Sequence, residues 1–250
     1  MKNKKLLLDI KEYLKYYENQ VLEDWYELIR HISVSETGEG IETCCDWIQK
    51  KMEEIGIQVT KYSVKPAPVL VGRFGNDPEK KTVLIYAHYD VKPAGERKLW
   101  HSDPFVPTVR DGKVYARGSA DNKSPLMAHL KALEYFVRKK MEVPVNVIFV
   151  FEGDEECGSR GLEEFLAEHR TELAADLVFF SDGPKDPSGL PIIALGAKGD
   201  LSVHITVETM NRNVHARYAP VLPSAAWQLV EILGTVSYTH LRAHETCADL

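Results

Sequence analysis

The sequence predicts an α/β fold in which a mostly parallel sheet is flanked by helices. From about residue 57, short strand-like runs alternate with helix-like segments, an order typical of strands joined by crossover helices. Strand-like runs such as VNVIFVF are continuously apolar, as expected for strands covered on both faces. After PIIALGAKG the pattern changes, which predicts the start of a smaller α+β domain.

The elements can be assigned in chain order. Helical patterns occupy residues 6–31 and 39–55, and the second ends at Gly56. The later elements of the first domain are the strands IQVTKYSV, VLVGRF and TVLIYAH, a helix at 125–140, the strand VNVIFVF, a helix at 161–169 and the strand DLVFFSD. In the second domain, LSVHITVETM alternates like a half-exposed strand, and PSAAWQLVEIL predicts an amphipathic helix that ends at Gly234.

Composition restricts the class of protein. With 44% apolar and 27% charged residues, the chain has the profile of a soluble globular protein. A net charge of -6 without a charged tail argues against nucleic-acid and anionic-membrane partners. No run approaches the ~18 apolar residues of a membrane span, and LLL near the start is too short for a signal peptide. Four cysteines without a disulfide pattern predict a cytoplasmic protein.

Acids and one histidine follow the predicted strands. His88 and Asp90 end one strand, Glu155 and Glu156 follow the next, and Asp182 follows the last. The carboxyl ends of parallel strands meet at one edge of a sheet, where ligands bind. A loop that contains Asp121, in ARGSADNKS, precedes a helix. These side chains therefore converge on one crevice.

This set of groups suits a hydrolytic metal site. Imidazole and carboxylate ligands favour zinc, manganese or cobalt, and an additional carboxylate can serve as general base. Two such ions polarise a carbonyl and lower the pKa of a water between them towards ~7. Each motif alone has an ordinary interpretation, a hydrogen-bonded core histidine or a solvated acidic turn. Their combination in this order favours the metal site.

The motifs resemble those of a known family. YAHYDVKP, WHSDPF, GKVYARGSADNKS, EGDEECGSRG and SDGP are similar, in order and spacing, to the co-catalytic zinc peptidases, which include carnosinase-like dipeptidases, aminoacylases, acetylornithine deacetylase, succinyl-diaminopimelate desuccinylase and glutamate carboxypeptidases. The resemblance runs from about residue 20 to 234 and is greatest to the dipeptidase branch. It implies a hydrolase of dipeptides or N-acyl amino acids that uses two divalent ions, most often zinc.

The resemblance also implies roles for individual residues. His88, Asp121, Glu156 and Asp182 would bind the metals, and Asp121 would bridge both ions. The peptide bond from Asp121 to Asn122 would be cis. Asp90 would orient the imidazole of His88, and Glu155 would act as general base.

The resemblance implies that the small domain of such enzymes acts as a lid over the site or as the dimerisation domain of a homodimer. There the resemblance gives His215 a role in stabilising the oxyanion. The Ser-Gly that usually follows this histidine is absent. A histidine on a surface strand, without a catalytic role, is therefore an equally good interpretation of His215.

The end of the chain departs from the family pattern. A further metal-binding histidine is expected beyond it, so the sequence is interpreted as C-terminally truncated. The expected domains are a catalytic part at 1–198, an incomplete lid or dimerisation domain at 199–235, and a non-native tail at 236–250. His240 and His244 in that tail are four residues apart, as zinc ligands on a helix can be, but Leu241 stands where the zincin motif needs glutamate, so the non-native tail is the favoured interpretation. A deacylase of acetylated or succinylated amino acids and an inactive fragment remain alternative functions.

Overall fold

The computed structural model describes residues 2–183, 188–190, 192–194, 196, 199 and 203–236. The chain divides into two compact units between residues 187 and 188. Most of the predicted tail at 236–250, with His240 and His244, lies outside the described residues. Among the described residues, no helix has both the length and the apolar character needed to cross a membrane.

The first unit has the predicted α/β architecture. Its helices are α1 (Lys2–Arg30), α2 (Ile41–Ile55), α3 (Lys123–Arg138) and α4 (Leu162–Glu168). Its strands are β1 (Gln58–Tyr62), β2 (Val69–Phe74), β3 (Thr82–His88), β4 (Thr108–Arg110), β5 (Lys113–Tyr115), β6 (Asn146–Glu152) and β7 (Leu177–Phe180). Strands β4 and β5 form a small hairpin, and the other five form the main sheet.

The main sheet has the order β1-β2-β6-β3-β7. Strands β6, β3 and β7 run parallel, whereas β2 pairs antiparallel with both β1 and β6. The sheet is therefore mixed, and its parallel half ends in the predicted site residues. Every residue of the central strand β6 is buried, as expected for the apolar run at 147–151 between its polar ends, Asn146 and Glu152.

Alternate residues of β6 contribute to two separate hydrophobic clusters. Phe149 and Phe151 pack with residues of α1, α2 and α3, including Leu28, Ile48 and Leu126. On the opposite face, Ile148 and Val150 pack in the cluster that contains Phe165 of α4. The two clusters place helices on both faces of the sheet, so the parallel strands, and the residues at their carboxyl ends, are held in fixed positions.

The second unit contains a short 3-10 turn at Ala216–Tyr218 and the helix α5 (Ala225–Val236). The helix continues two residues past the predicted stop at Gly234, since an internal glycine costs a helix only about 1 kcal/mol. The strand predicted at 201–210 is wrong for the described part, 203–210, which has no strand structure. Alternation alone does not make a strand, because its backbone must also find a pairing partner.

Candidate metal centre

Three of the predicted ligands meet at the carboxyl edge of the parallel strands. His88 is the last residue of β3, and Asp182 follows two residues after the end of β7. The Nε2 atom of His88 lies 3.0 Å from Oδ1 of Asp121 and 3.3 Å from Oδ2 of Asp182. Ligand atoms of these residues all lie within 4.8 Å of one another, the single group of three so arranged in the described part of the chain.

The chemistry of this group of three fits a divalent cation. One imidazole nitrogen and two carboxylate oxygens are ligands that zinc and its neighbours in the transition series accept. The imidazole is fully buried, whereas 64% of the Asp121 side chain is exposed. The group therefore opens towards solvent on its carboxylate side, where an ion could enter.

Asp90 joins two parts of the site. Its Oδ1 lies 3.2 Å from Nδ1 of His88, and neither side chain is exposed. The same carboxylate accepts hydrogen bonds from the backbone N–H groups of Glu155, at 3.2 Å, and Glu156, at 3.0 Å. With Nδ1 facing this carboxylate, Nε2 is the nitrogen left to bind a metal.

The electrostatic environment of His88 favours positive charge. Burial alone would lower the pKa of His88, but the hydrogen bond and charge of Asp90, together with Glu155 and Asp121, raise the pKa to about 9. Several carboxylates around one imidazole thus favour a cation here, either a proton or a metal ion.

Glu155 lies beside the group of three. Its Oε2 is 3.7 Å from Nε2 of His88, and its side chain is 37% exposed. Burial raises the pKa of Glu155; His88 opposes this shift, and Glu156, Asp182 and Asp90 add to it. A carboxylate with a raised pKa near the ligand group can accept and return a proton.

Glu156 points to a different neighbour. Its Oε2 lies 3.5 Å from Nζ of Lys92, and its side chain is 15% exposed. Although it was predicted as a ligand, Glu156 is not one of the three residues in the metal-binding group.

The remaining acids of the EGDEECGSRG motif, Glu152 and Asp154, have protein partners. Tyr86 and Ser159 both donate hydrogen bonds to the buried carboxylate of Glu152. The carboxylate of Asp154 binds Arg160. The acidic run therefore contains two structural acids, one acid beside the metal group, Glu155, and one acid beside Lys92, Glu156.

Gly153 lets this run pass closely over Tyr89. A Cβ atom at position 153 would lie 2.5 Å from Cζ and from the hydroxyl oxygen of Tyr89. Tyr89 cannot easily yield, since it is fully buried and its hydroxyl donates to the carbonyl of Pro68 at 2.7 Å. Glycine is therefore required here for space.

Asn122 links the loop of Asp121 to the segment of Asp182. The peptide between Asp121 and Asn122 is cis, as the family resemblance implied. The amide of Asn122 donates from Nδ2 to the carbonyl of Ser181 at 2.9 Å, and Asn122 is fully buried. Two predicted ligands from distant parts of the sequence are thereby held together.

Lys123 fixes this loop to α1. Its buried Nζ donates to the carbonyls of Leu28, at 3.1 Å, and His31, at 2.6 Å. Burial lowers the pKa of Lys123. A cation suits the carboxyl end of α1, where backbone carbonyls lack helical partners.

His215 lies in the second unit. It precedes the 3-10 turn at Ala216–Tyr218, and its Nδ1 accepts a hydrogen bond from the backbone N–H of Arg217 at 3.2 Å. The residue is exposed. Its predicted role in catalysis stays a prediction.

Sequence reasoning missed Lys92, Lys123 and Arg160. Lys123 had a detectable signal, since a lysine in the first turn of a helix opposes the helix dipole and needs a tertiary partner. Lys92 and Arg160 carried no comparable signal, because surface-prone basic residues near acids are common.

Comparison with known proteins identifies a family. The profile described as Peptidase family M20/M25/M40 matches residues 84–243, more than half of the chain. "Cys-Gly metallodipeptidase dug1" of Schizosaccharomyces pombe is 37% identical over 74% of this chain and 40% of the relative. "Beta-Ala-His dipeptidase" of Mus musculus is 34% identical over 68% of this chain and 35% of the relative. The chain thus spans less than half the length of these relatives.

Solved structures share the fold. The M20 family metallo-carboxypeptidase Sso-CP2 from Sulfolobus solfataricus superposes with a TM-score of 0.76 and 33% identity, over 86% of this chain and 49% of that one. Human carnosine dipeptidase 1 has a TM-score of 0.66 and 29% identity, over 69% of this chain and 40% of that one.

Proposed function

The chain belongs to Peptidase family M20/M25/M40, and from this membership we propose that it contributes the metal centre of a dipeptidase. The reaction is hydrolysis of the amide bond of a dipeptide by water. The observation that carries the proposal is the group of His88, Asp121 and Asp182 with Glu155 beside it. The names of the relatives, a Cys-Gly metallodipeptidase and a Beta-Ala-His dipeptidase, support a dipeptide as substrate.

We propose that His88, Asp121, Asp182 and Glu156 hold two divalent ions, zinc in preference to manganese or cobalt. Glu156 would have to exchange its contact with Lys92 for a metal ion. When bound, such ions supply Lewis acidity, which polarises the substrate carbonyl and makes water more acidic.

The protein's own groups would handle the proton. Glu155 takes a proton from the attacking water at its carboxylate and returns it to the nitrogen of the leaving amine. Burial raises the pKa of Glu155, which makes its carboxylate a stronger proton acceptor than a free glutamate. Asp90 keeps Nε2 of His88 directed at the metal group and holds the backbone of Glu155 in place.

Several further features belong to the proposal. Residues 1–198 would form the catalytic domain, 199–235 would begin a lid or dimerisation domain that supplies His215 to the oxyanion, and 236–250 would be a non-native tail. The whole protein would form homodimers. A cytoplasmic location is supported by Cys44, Cys45 and Cys157, which are free thiols.

Metal titration followed by a hydrolysis assay tests the function. We expect the whole chain to bind zinc in calorimetric titration, and Asp182→Asn to weaken binding by about 10-fold or more, since it removes a ligand. Asp103→Asn is the matched control, because Asp103 is an exposed carboxylate paired with Arg97. Equal affinity in wild type and Asp182→Asn would rule out the proposed metal group.

The substrate class is tested separately. Zinc-loaded protein is incubated with Cys-Gly, with β-Ala-His and with an N-acetylated amino acid, and the released amino acids are quantified. Release from the dipeptides alone supports the dipeptidase. Release from the acetylated substrate alone would assign a deacylase instead, and zinc binding without any hydrolysis would mean that this chain is not an active dipeptidase by itself.

A further inference from the structure

Arg160 makes an unusually complete contact with Asp154. Its Nε lies 2.9 Å from Oδ2 of Asp154 and its Nη2 lies 2.6 Å from Oδ1, a two-point pairing of guanidinium and carboxylate. The backbone N–H of Arg160 donates to the same Oδ2 at 3.0 Å. The Asp154 side chain is 5% exposed, whereas that of Arg160 is 55% exposed.

Asp154 directly precedes the 3-10 turn at Glu155–Cys157. Its backbone carbonyl accepts hydrogen bonds from the N–H groups of Cys157, at 3.1 Å, and Ser159, at 2.8 Å. Its side chain makes no capping bond to the turn. The carboxylate of Asp154 is therefore directed to Arg160, which sets the orientation of the residue before Glu155.

The other side of the same turn is held by Asp90. This carboxylate accepts the backbone N–H groups of Glu155 and Glu156. The turn is thus bound by Asp90 at its first two residues, and the pair of Asp154 and Arg160 joins the residues that flank it. The backbone of both glutamates has little freedom between these attachments.

We infer that Arg160 is a positioning residue of the metal centre, which acts through Asp154 to hold the turn that carries Glu155, beside the metal group, and Glu156, the further ligand of the proposed function. The inference rests on the proposed function, because it assigns a role within that site. Arg160 itself lies outside the metal-binding group. Because Asp154 is buried, removal of Arg160 leaves a carboxylate without its charged partner, so the stability of each variant is measured beside its zinc affinity.

Zinc affinity of the whole chain is the primary measurement. We expect Arg160→Ala to weaken zinc binding about 10-fold, the usual effect of losing a residue that supports metal ligands. Arg160→Lys keeps the charge but loses the two-point pairing, so its affinity should lie between those of wild type and Arg160→Ala. Arg30→Ala is the matched control, because Arg30 is an exposed arginine paired with Glu23 on α1; it should bind zinc like wild type.

A double-mutant cycle separates positioning from a general structural effect. In a Glu155→Gln/Glu156→Gln background, Arg160→Ala should cause no further loss of zinc affinity, since the groups it positions are already neutral. All titrations are made at a temperature where circular dichroism shows each variant folded. If Arg160→Ala does not fold, Arg160→Lys decides the question.

The outcomes are distinguishable. Wild-type zinc affinity in folded Arg160→Ala, or an equal loss in the double-glutamine background, would overturn the positioning role while leaving the proposed function intact. A wild-type chain that binds no zinc would overturn the proposed function and the positioning role together.

Discussion

The carboxylate of Asp90 lies 3.2 Å from Nδ1 of His88, and both side chains are fully buried. Burial alone would raise the pKa of Asp90, but hydrogen bonds from His88 and Ser35 and the charge of His88 keep it lowered. The carboxylate is therefore a charged acceptor inside the protein. It orients an imidazole on one side and the backbone of Glu155 and Glu156 on the other.

We expect Asp90→Asn to lower zinc affinity and turnover by about 10- to 100-fold. The amide of asparagine has no negative charge. Its N–H group would also face one of the two backbone N–H groups that now donate to the carboxylate. The comparison of Asp90→Asn with wild type by calorimetric titration and by dipeptide hydrolysis checks this. An unchanged zinc affinity would show that Asp90 does not orient His88.

Glu155→Gln should abolish proton transfer without emptying the metal site. The two side chains have nearly the same shape, and only the carboxylate can accept a proton, so turnover should fall by at least about 10²-fold. Zinc content measured by atomic absorption should stay at the wild-type level. Wild-type turnover in the variant would exclude Glu155 as general base.

Lys123→Met should destabilise the protein by about 2 kcal/mol, because the carbonyls of Leu28 and His31 lose a charged donor and methionine cannot replace it. The free energy of unfolding is obtained from urea denaturation followed by circular dichroism. Lys98→Met is the matched control, since Lys98 is exposed and pairs with Glu96. Equal stability of the two variants would contradict the assigned role of Lys123.

Asp24 should confer a stability that depends on pH. Burial alone would raise the pKa of Asp24, but hydrogen bonds and charge from Lys131 and Lys51 lower it. Because the folded pKa lies below the unfolded value, the stabilisation is complete above about pH 4 and is lost as the pH falls through the folded pKa.

Asp24→Asn should therefore cost about 2 kcal/mol at neutral pH and less at about pH 3, which lies below the unfolded pKa. Urea denaturation of both proteins at each pH provides the measurement. The control is Asp46→Asn, which alters an exposed pair with Lys61 and should change stability little. The same loss at both pH values would mean that the charge of Asp24 is not responsible.

The fold could be predicted where local sequence and tertiary structure agree. The apolar run of β6 is buried along its whole length, and α2 ends at Gly56 as its sequence predicts. The meeting of His88 and Asp182 followed from the rule that parallel strands end at one edge. Asp121 lies in a loop before a helix and not at a strand end, so this rule alone does not place it, and the family resemblance added its role as a ligand.

The supporting contacts could not be predicted because they join distant segments. Lys123 binds the carbonyl of Leu28, 95 residues earlier in the chain. One partner of Glu152 is Tyr86, 66 residues away, although any nearby basic residue would have been an equally reasonable expectation. Strand formation at 203–210 failed for a related reason, since pairing depends on a partner that local alternation does not specify.

The close passage of Gly153 over Tyr89 limits how this protein can be engineered. The segment from Glu152 to Arg160 is closed by its own hydrogen bonds, and its outside attachments include Asp90 and Tyr86. A loop taken from a relative would meet the ring of Tyr89 unless it also carried glycine at position 153. A chimera made at this loop should therefore exchange two segments together, the loop itself and the end of β3 with the residues through Asp90.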